Sequence, residues 1–330
     1  MSNEKPFETI VLDLDDSVIK QKKLISQLEP SVIKLTEQSE RYRYFCKHRD
    51  MLALREKIVE SSKSSKPKLI FYGSGDYHNM AYLGLSMVNK PVTVIHFDNH
   101  TDFWRFPLKN IYHTFGSWVV WAFTLPNVIK VIQFGVDGDL NIVKGFSNLP
   151  VCTYNYRLDF LLDKKVETYP NSMNESTLWG RIKGETECVE FIPAGFKTKA
   201  IWNNLNNNDL DSFLDRVINT IPTDSVYFTI DKDTLEEKEN FAAYWENQGT
   251  MTVDKMLRII EKIASLKYIA GADICGDGSA IINSKNLLKK LILSMKDKGH
   301  QSTEYNLREN TEMNESVNLR IVDRLYKYAR

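Results

Sequence analysis

Three short segments of the chain place aspartate and histidine at spacings that suit metal coordination. They are GSGDYH at 73–78, DNHTD at 98–102 and DKD at 231–233. Four of the six histidines lie between positions 78 and 113, beside the first two segments. Divalent first-row ions accept such mixed oxygen and nitrogen donors. The three segments therefore predict a metal site, provided that the fold brings them together.

The second segment follows VTVIHF, an apolar run that is typical of a buried strand. In an extended chain, residues i, i+2 and i+4 project to one side. Asp98, His100 and Asp102 should therefore converge if the extension continues into the loop, and Asp231 and Asp233 share a face for the same reason. Because neighbouring carboxylates raise each other's pKa, we expect a cation between them. For one motif taken alone, a strand end with capping aspartates is an equal alternative.

The elements that position these residues are apolar strands alternating with helices. Strands are predicted at 7–16, 68–73, 91–98, 127–135, 225–231 and 267–275, and helical patterns at 30–60, 80–88, 252–265 and 317–330. Such alternation favours a parallel sheet covered on both faces, with functional residues at the carboxyl ends of its strands. We expect an α/β fold, a single domain over 1–330 with three α/β/α layers and a mainly parallel sheet. The polar segment 296–316 is predicted to be an exposed connection.

Composition excludes several classes of function. Lysine plus arginine and aspartate plus glutamate both number 43, so bulk charge predicts neither nucleic-acid nor anionic-membrane binding. The chain has no apolar run long enough to span a bilayer. Its four cysteines are Cys46, Cys152, Cys188 and Cys275, without a C-x-x-C pair. We therefore expect reduced thiols and a cytoplasmic protein; the oligomeric state, including a homo-oligomer, is left open.

The three motifs, in this order, resemble the metal motifs of the ureohydrolases, the arginase and agmatinase superfamily. That family usually writes them G-G-D-H, D-A-H-x-D and D-x-D, and the resemblance covers about 69–275. It implies an arginase-like fold, two Mn²⁺ per chain and hydrolysis of a guanidino group. The implied ligands of the first ion are His78, Asp98, Asp102 and Asp231, and those of the second are His100, Asp98, Asp231 and Asp233. In this resemblance Asp98 and Asp231 bridge the two ions.

The resemblance also assigns two catalytic roles. Asp102 orients the water-derived nucleophile through a hydrogen bond. His113, in NIYHTFGSW, matches the family's proton-shuttle histidine, although a histidine satisfied within its loop is the alternative for this residue. His96 has no ligand role in the family pattern, and we expect it behind the ligands or in the core.

The departures from the family pattern concern the substrate. Members that act on free arginine carry polar residues where this chain has Trp104, Lys109 and Ile111. The family's glutamate that pairs with guanidinium aligns with Gly276, and the following Asp277 replaces it only if the chain turns there. This combination resembles the peptide arginases, which convert arginine within a ribosomal peptide to ornithine. We therefore expect an arginine-containing precursor peptide as the substrate, against a pocket wall that includes Trp104.

The N-terminal segment VLDLDDS offers two further acidic residues for the substrate cation. Asp15 and Asp16 follow the first predicted strand and could face the guanidinium, or they cap a turn or helix. The segment also imitates the phosphatase motif of the haloacid dehalogenases, with Asp13 as nucleophile, but that hypothesis leaves the three histidine-containing segments unexplained. Two other functions stay open: an agmatinase-like or other small-molecule amidine or amide hydrolase, and a non-catalytic metal-binding protein.

Overall fold

The structure is a computed structural model, and it describes residues 4–62, 64–103, 111–138, 165–179, 186–195, 197–241, 248–278, 287 and 304–329. The strands of these ranges are β1 Glu8–Asp13, β2 Ser31–Lys34, β3 Phe45–Lys47, β4 Lys68–Gly73, β5 Val92–Phe97, β6 Tyr112–Thr114, β7 Val128–Phe134, β8 Val166–Tyr169, β9 Glu175–Trp179, β10 Val189–Ala194, β11 Lys197–Trp202, β12 Ser225–Asp231 and β13 Tyr268–Cys275. The α-helices are α1 Lys22–Leu28, α2 Ser39–Tyr42, α3 His48–Ser61, α4 Ala81–Ser86, α5 Trp118–Ala122, α6 Leu210–Asn219, α7 Val253–Leu266 and α8 Glu304–Tyr328.

Eight strands form one central sheet in the order β2-β1-β4-β13-β12-β5-β7-β8. Every pair of neighbours in this sheet is parallel. Strands β9, β10 and β11 form a separate antiparallel sheet, and β3 pairs with β6. The α/β class and the mainly parallel sheet are thus confirmed, and all six predicted strands occur in that sheet.

The central sheet is covered on both faces. Along β1, Val11 belongs to one apolar cluster, whereas Ile10 and Leu12 belong to another, as expected from the alternation of side chains in a strand. Helices α1, α7 and α8 contribute to the first cluster and α3 to the second. No helix in the described ranges is long and apolar enough to cross a membrane.

The helical pattern predicted for 30–60 is wrong for much of its first half, where α2 is a single short turn of α-helix. Residues Ser31–Lys34 form β2 and pair with β1, and the helix α3 begins only at His48. Tyr44 has a φ of 62°, which a continuous helix does not accommodate. Pairing with the edge of the sheet has therefore outweighed the local helical periodicity.

The terminal helix is longer than predicted. Helix α8 begins at Glu304, so the second half of the predicted exposed connection is helical, while 296–303 lie outside the described residues. Asn314 and Glu315 are buried, and the Glu315 carboxylate accepts a hydrogen bond from the Lys23 backbone at 2.6 Å. Contacts of this kind fix the helix, which packs on α7.

Candidate metal centre

The first predicted ligand, His78, is held on a short 3₁₀ helix, Gly75–Met80, that leaves the carboxyl end of β4. The helix is anchored by a buried ion pair in which Arg43 Nη2 lies 2.6 Å from Asp76 Oδ2. The Ser74 hydroxyl accepts a hydrogen bond from the Asp76 backbone at the start of this turn. The side chain of His78 is thereby presented at the carboxyl edge of the sheet.

The side chain of His78 and three carboxylates come from three strand ends and meet at the Nδ1 atom of His78. This atom lies 3.0 Å from Asp98 Oδ2, 2.9 Å from Asp102 Oδ2 and 3.6 Å from Asp231 Oδ2. All four residues are buried. The fold therefore brings together the donor set that the resemblance assigns to the first ion.

A second donor group lies on the other side of Asp98. His100 Nδ1 is 3.2 Å from Asp98 Oδ1 and 2.9 Å from Asp233 Oδ2. The two oxygens of Asp98 thus face different groups, Oδ2 towards His78 and Oδ1 towards His100. Among the described residues, three groups could hold a metal ion. They are His78, His96, Asp98 and Asp102; Asp98, His100 and Asp233; and His78, Asp231 and Cys275, so that Asp98 is common to the first two.

The geometry that gathers these residues is not the one predicted. Strand β5 ends at Phe97, so the extension does not continue through the DNHTD segment. The chain turns instead, and Asp102 adopts a φ of 52°. Asp233 likewise lies in a 3₁₀ turn and donates its backbone N–H to Asp231 at 3.1 Å. Loop conformation, rather than alternation along a strand, makes the carboxylates converge.

The protonation equilibria of this cluster show how strongly its donors attract positive charge. Burial and the neighbouring Asp98 raise the pKa of Asp102 to about 8, and burial with Asp231 and Asp98 raises the pKa of Asp233 well above its usual value. Although burial opposes it, hydrogen bonds to Asp102 and Asp98 raise the pKa of His78 well above the ordinary range. Protons are thus drawn to the place where the donors face one another. A divalent ion with oxygen and nitrogen donors fits this charge deficit.

Two glycines allow the backbone to approach Asp231 closely. A Cβ atom on Gly75 would lie 2.6 Å from Asp231 Oδ2, and one on Gly276 would lie 2.4 Å from Asp231 Oδ1. Gly276 also has a φ of 84°, a left-handed conformation that favours glycine. The position that aligns with the family's glutamate therefore has no room for a side chain.

Comparison with known proteins agrees with this architecture. No protein-family model matches the chain. A Thermotoga maritima protein described as uncharacterized is 22% identical over 228 residues, which is 68% of this chain and 65% of that protein. Among solved structures, this chain resembles the proclavaminate amidino hydrolase of Streptomyces clavuligerus. The TM-score is 0.57 and the identity is 10%, and the match covers 98% of this chain and 94% of that one.

Two further structures come from Bacillus subtilis subsp. subtilis str. 168. The arginase has a TM-score of 0.54 and 12% identity, covering 98% of each chain. The formimidoylglutamase has a TM-score of 0.54 and 13% identity, covering 100% of this chain and 90% of that one. The chain has the ureohydrolase fold. In this ureohydrolase fold, the donor groups described above lie at the carboxyl ends of β4, β5 and β12.

Two residues that the sequence did not single out, Trp118 and Gln133, contact a donor or its neighbour His96. Trp118 Nε1 donates a hydrogen bond to Asp102 Oδ2 over 2.6 Å, and its ring lies beside His78. His96 Nε2 lies 2.9 Å from Asp98 Oδ2, and Gln133 Nε2 contacts His96 Nδ1 at 3.0 Å. His96 thus contacts the predicted ligand Asp98 and also belongs to a group that could hold a metal ion, so that its place behind the ligands stays a prediction. The aromatic residues that follow His113 were the available signal for Trp118.

The acidic residues predicted to meet the substrate have partners within the protein. Asp277 Oδ1 lies 2.5 Å from Lys232 Nζ in a fully buried ion pair. Lys232 therefore neutralises the carboxylate that was predicted to pair with a guanidinium. Asp15 accepts hydrogen bonds from the Ser17 hydroxyl at 2.6 Å and the Ser74 backbone at 3.1 Å. Burial raises the pKa of Asp15 to about 6. These contacts stabilise the loops beside the site.

Of the two other predicted substrate residues, the structure describes only Asp16. Asp16 is exposed, with a φ of 61°, in a turn after β1. Trp104 lies outside the described residues, as does Lys109. Ile111, the third departure from the free-arginine pattern, is 51% exposed. Contact of any of these with a substrate stays a prediction.

His113 lies in a buried cluster of rings. Its Nε2 is 2.8 Å from His48 Nδ1, and its ring stacks on Trp121 with a centroid distance of 4.0 Å and packs against Tyr82 at 4.5 Å. Burial, together with His48, lowers the pKa of His113 to about 3. Within the described ranges, these contacts include none of the predicted ligands. The shuttle assignment therefore stays a prediction, and the ring is neutral near pH 7.

Proposed function

We propose that this chain is a dinuclear manganese hydrolase that acts on a guanidino group. The observation that carries the proposal is the pair of donor groups that share Asp98, one buried and the other including the partly exposed His100, at the strand ends of a ureohydrolase fold. The ligands we assign to one ion are His78, Asp98, Asp102 and Asp231, and those of the other are Asp98, His100, Asp231 and Asp233. When bound, such ions supply Lewis-acid polarisation and an activated water at neutral pH.

The reaction that we propose converts a peptidyl-arginine side chain and one water to peptidyl-ornithine and urea. A carbon–oxygen bond forms at the guanidinium carbon, and its bond to Nε breaks, so that the amine leaves with a proton. Asp102 accepts a hydrogen bond from Trp118, and this contact holds its carboxylate towards the centre. Burial of Asp98 and Asp102 excludes bulk water, which strengthens their electrostatic interactions.

A peptide substrate is supported by the residue types at the positions that would hold the α-groups of free arginine. The resembling members that act on free arginine hold its α-ammonium and α-carboxylate with polar residues at the positions where this chain has Trp104, Lys109 and Ile111. The exposed aliphatic side chain of Ile111 offers no partner for a free ammonium or carboxylate. A peptide presents neutral amides at these positions and adds contacts from its flanking residues. An arginine-containing precursor peptide, modified in the cytoplasm, is therefore the proposed substrate.

The test is to incubate the manganese-loaded protein with free arginine, agmatine and a panel of arginine-containing peptides. Urea is measured, and mass spectrometry follows the loss of about 42 Da that the conversion of arginine to ornithine requires by stoichiometry. We expect turnover of one or more peptides and a much lower kcat/KM for the two small molecules, because remote contacts supply binding energy for the reacting centre. Efficient turnover of arginine or agmatine with no action on any peptide would favour the small-molecule alternative.

A non-catalytic metal-binding protein is a second candidate, favoured by the surroundings of His113. A proton-transfer group works best with a pKa near the operating pH, whereas the pKa of His113 is lowered to about 3. Binding of two Mn²⁺ without hydrolysis of any guanidino compound, amide or amidine in the panel would support this candidate.

A further inference from the structure

His78 makes a second contact that its proposed role as a ligand does not explain. Its Nδ1 atom faces the carboxylates, whereas its Nε2 atom lies 3.1 Å from Thr229 Oγ1. The Thr229 hydroxyl in turn donates to Asp273 Oδ1 over 2.7 Å. All three side chains are buried. A continuous hydrogen-bonded chain therefore runs from Asp273 to the ring of His78.

The backbone of the sheet sets this chain of contacts. Thr229 on β12 and Asp273 on β13 are direct partners in the parallel register. Thr229 also precedes Asp231 by two residues, so their side chains leave the strand on the same face. The contact to His78 is thus built into two neighbouring central strands and the helix that follows β4.

Counting protons along this chain places a hydrogen on Nε2 of the ring, in its neutral and in its charged form alike. A threonine hydroxyl has one hydrogen, and Thr229 donates it to Asp273. Its oxygen must then accept a hydrogen bond from His78, so Nε2 carries the hydrogen. In a neutral imidazole the other nitrogen, Nδ1, keeps its lone pair, and that atom faces Asp98 and Asp102.

We propose that Thr229 and Asp273 are positioning residues that hold His78 in the Nε2–H form and thereby present Nδ1 to a metal ion. This inference rests on the proposed metal centre. Partners of this kind commonly fix the tautomer and orientation of metal-binding histidines, and their loss typically costs about 10- to 100-fold in metal affinity.

The first test uses the unaltered protein loaded with Zn²⁺, a diamagnetic probe. Histidine labelled with ¹⁵N is observed by NMR, and the His78 signals are assigned by their disappearance in His78→Gln. We expect a protonated Nε2 and an unprotonated Nδ1 in the His78 ring. A proton on Nδ1 would overturn the inference, and this result does not depend on any variant of Thr229 or Asp273 folding.

The second test compares Thr229→Val with Thr229→Ser, which keeps the hydroxyl. Thr93→Val is the matched control, because Thr93 is an equally buried strand threonine whose hydroxyl contacts Thr223 at 2.8 Å. Mn²⁺ affinity is measured from the EPR signal of the free ion. We expect about 10- to 100-fold weaker binding for Thr229→Val, with Thr229→Ser and the control near the parent.

The outcomes separate this inference from the proposed function. Unchanged affinity in Thr229→Val would refute the positioning role while leaving the metal centre intact. Absence of metal binding in the unaltered protein would instead refute the proposed function itself.

Discussion

Replacement of Asp98 by asparagine should weaken binding of both metal ions at once. Its Oδ2 lies in the group with His78, at 3.0 Å from Nδ1, and its Oδ1 lies in the group with His100, at 3.2 Å from Nδ1. Two unit charges 4 Å apart at an effective dielectric constant of 20 interact by about 4 kcal/mol. Since 1.4 kcal/mol corresponds to roughly a tenfold change in Kd, each ion should bind about a thousandfold more weakly. A divalent ion in direct contact with the carboxylate should lose at least this much affinity.

The assay is metal content after Mn²⁺ loading and removal of the free ion, together with calorimetric titration of the metal-free protein. Asp137→Asn is the matched control, because Asp137 is a buried aspartate that accepts hydrogen bonds from the Asn171 and Ser172 backbones and the Thr250 hydroxyl. Asp233→Asn should weaken mainly one ion, since Asp233 lies in a single group. Loss of only one ion from a folded Asp98→Asn protein, or retention of both, would refute the shared-carboxylate geometry.

Three further predictions concern the surroundings of the site. His113→Phe should keep the metals and lower turnover about 10²- to 10⁴-fold if the ring transfers protons; unchanged kcat across pH would make it a packing residue. Gly276→Ala should lower Mn²⁺ affinity, because the added Cβ would contact Asp231. Gly195→Ala is the control, at a φ of 65° with open space around its Cβ, and should leave the affinity unchanged. Equal Mn²⁺ affinities in the two variants would contradict the close approach of Gly276 to Asp231. Because the pKa of Asp102 is raised to about 8, the metal-free fold retains a proton that the unfolded chain releases above about pH 4. The lowered pKa values of His96 and His113 contribute the opposite slope up to about pH 6.5, so melts in EDTA are compared with those of Asp102→Asn. Between pH 4 and 8 the parent should lose more stability than this variant, with Mn²⁺ restoring it; equal slopes for the two proteins would contradict the charge deficit.

The sequence was sufficient to predict the features that depend on residue type and strand position together. Continuous apolar runs located β4, β5 and β12, and the carboxyl-end rule for parallel strands placed His78, Asp98 and Asp231 near one another. The rule does not depend on the path of each loop. For this reason the clustering was predicted correctly even though the extension expected through Asp102 does not exist.

Features that depend on distant partners were not predictable. Nothing local to Lys232 indicates that its ammonium reaches Asp277, since that contact joins the ends of two strands. His113 was assigned by motif position, but its ring environment is set by His48 and Trp121, which lie on other elements. The strand β2 formed where periodicity favoured a helix because an edge of the sheet was available for pairing.

The strand order has a consequence for how the protein is made. Strands β4 and β5 are neighbours in sequence, yet in the sheet they are separated by β13 and β12, which come from the last third of the chain. During synthesis, the edges of β4 and β5 that later pair with β13 and β12 must therefore remain unpaired. Long-range parallel pairing of this kind is slow and exposes apolar surface. The histidine of the first segment cannot meet the aspartate of the third until both late strands have inserted. Metal loading should accordingly be a post-translational event, and a chain interrupted before β12 would display the first two metal segments without the means to hold an ion between them.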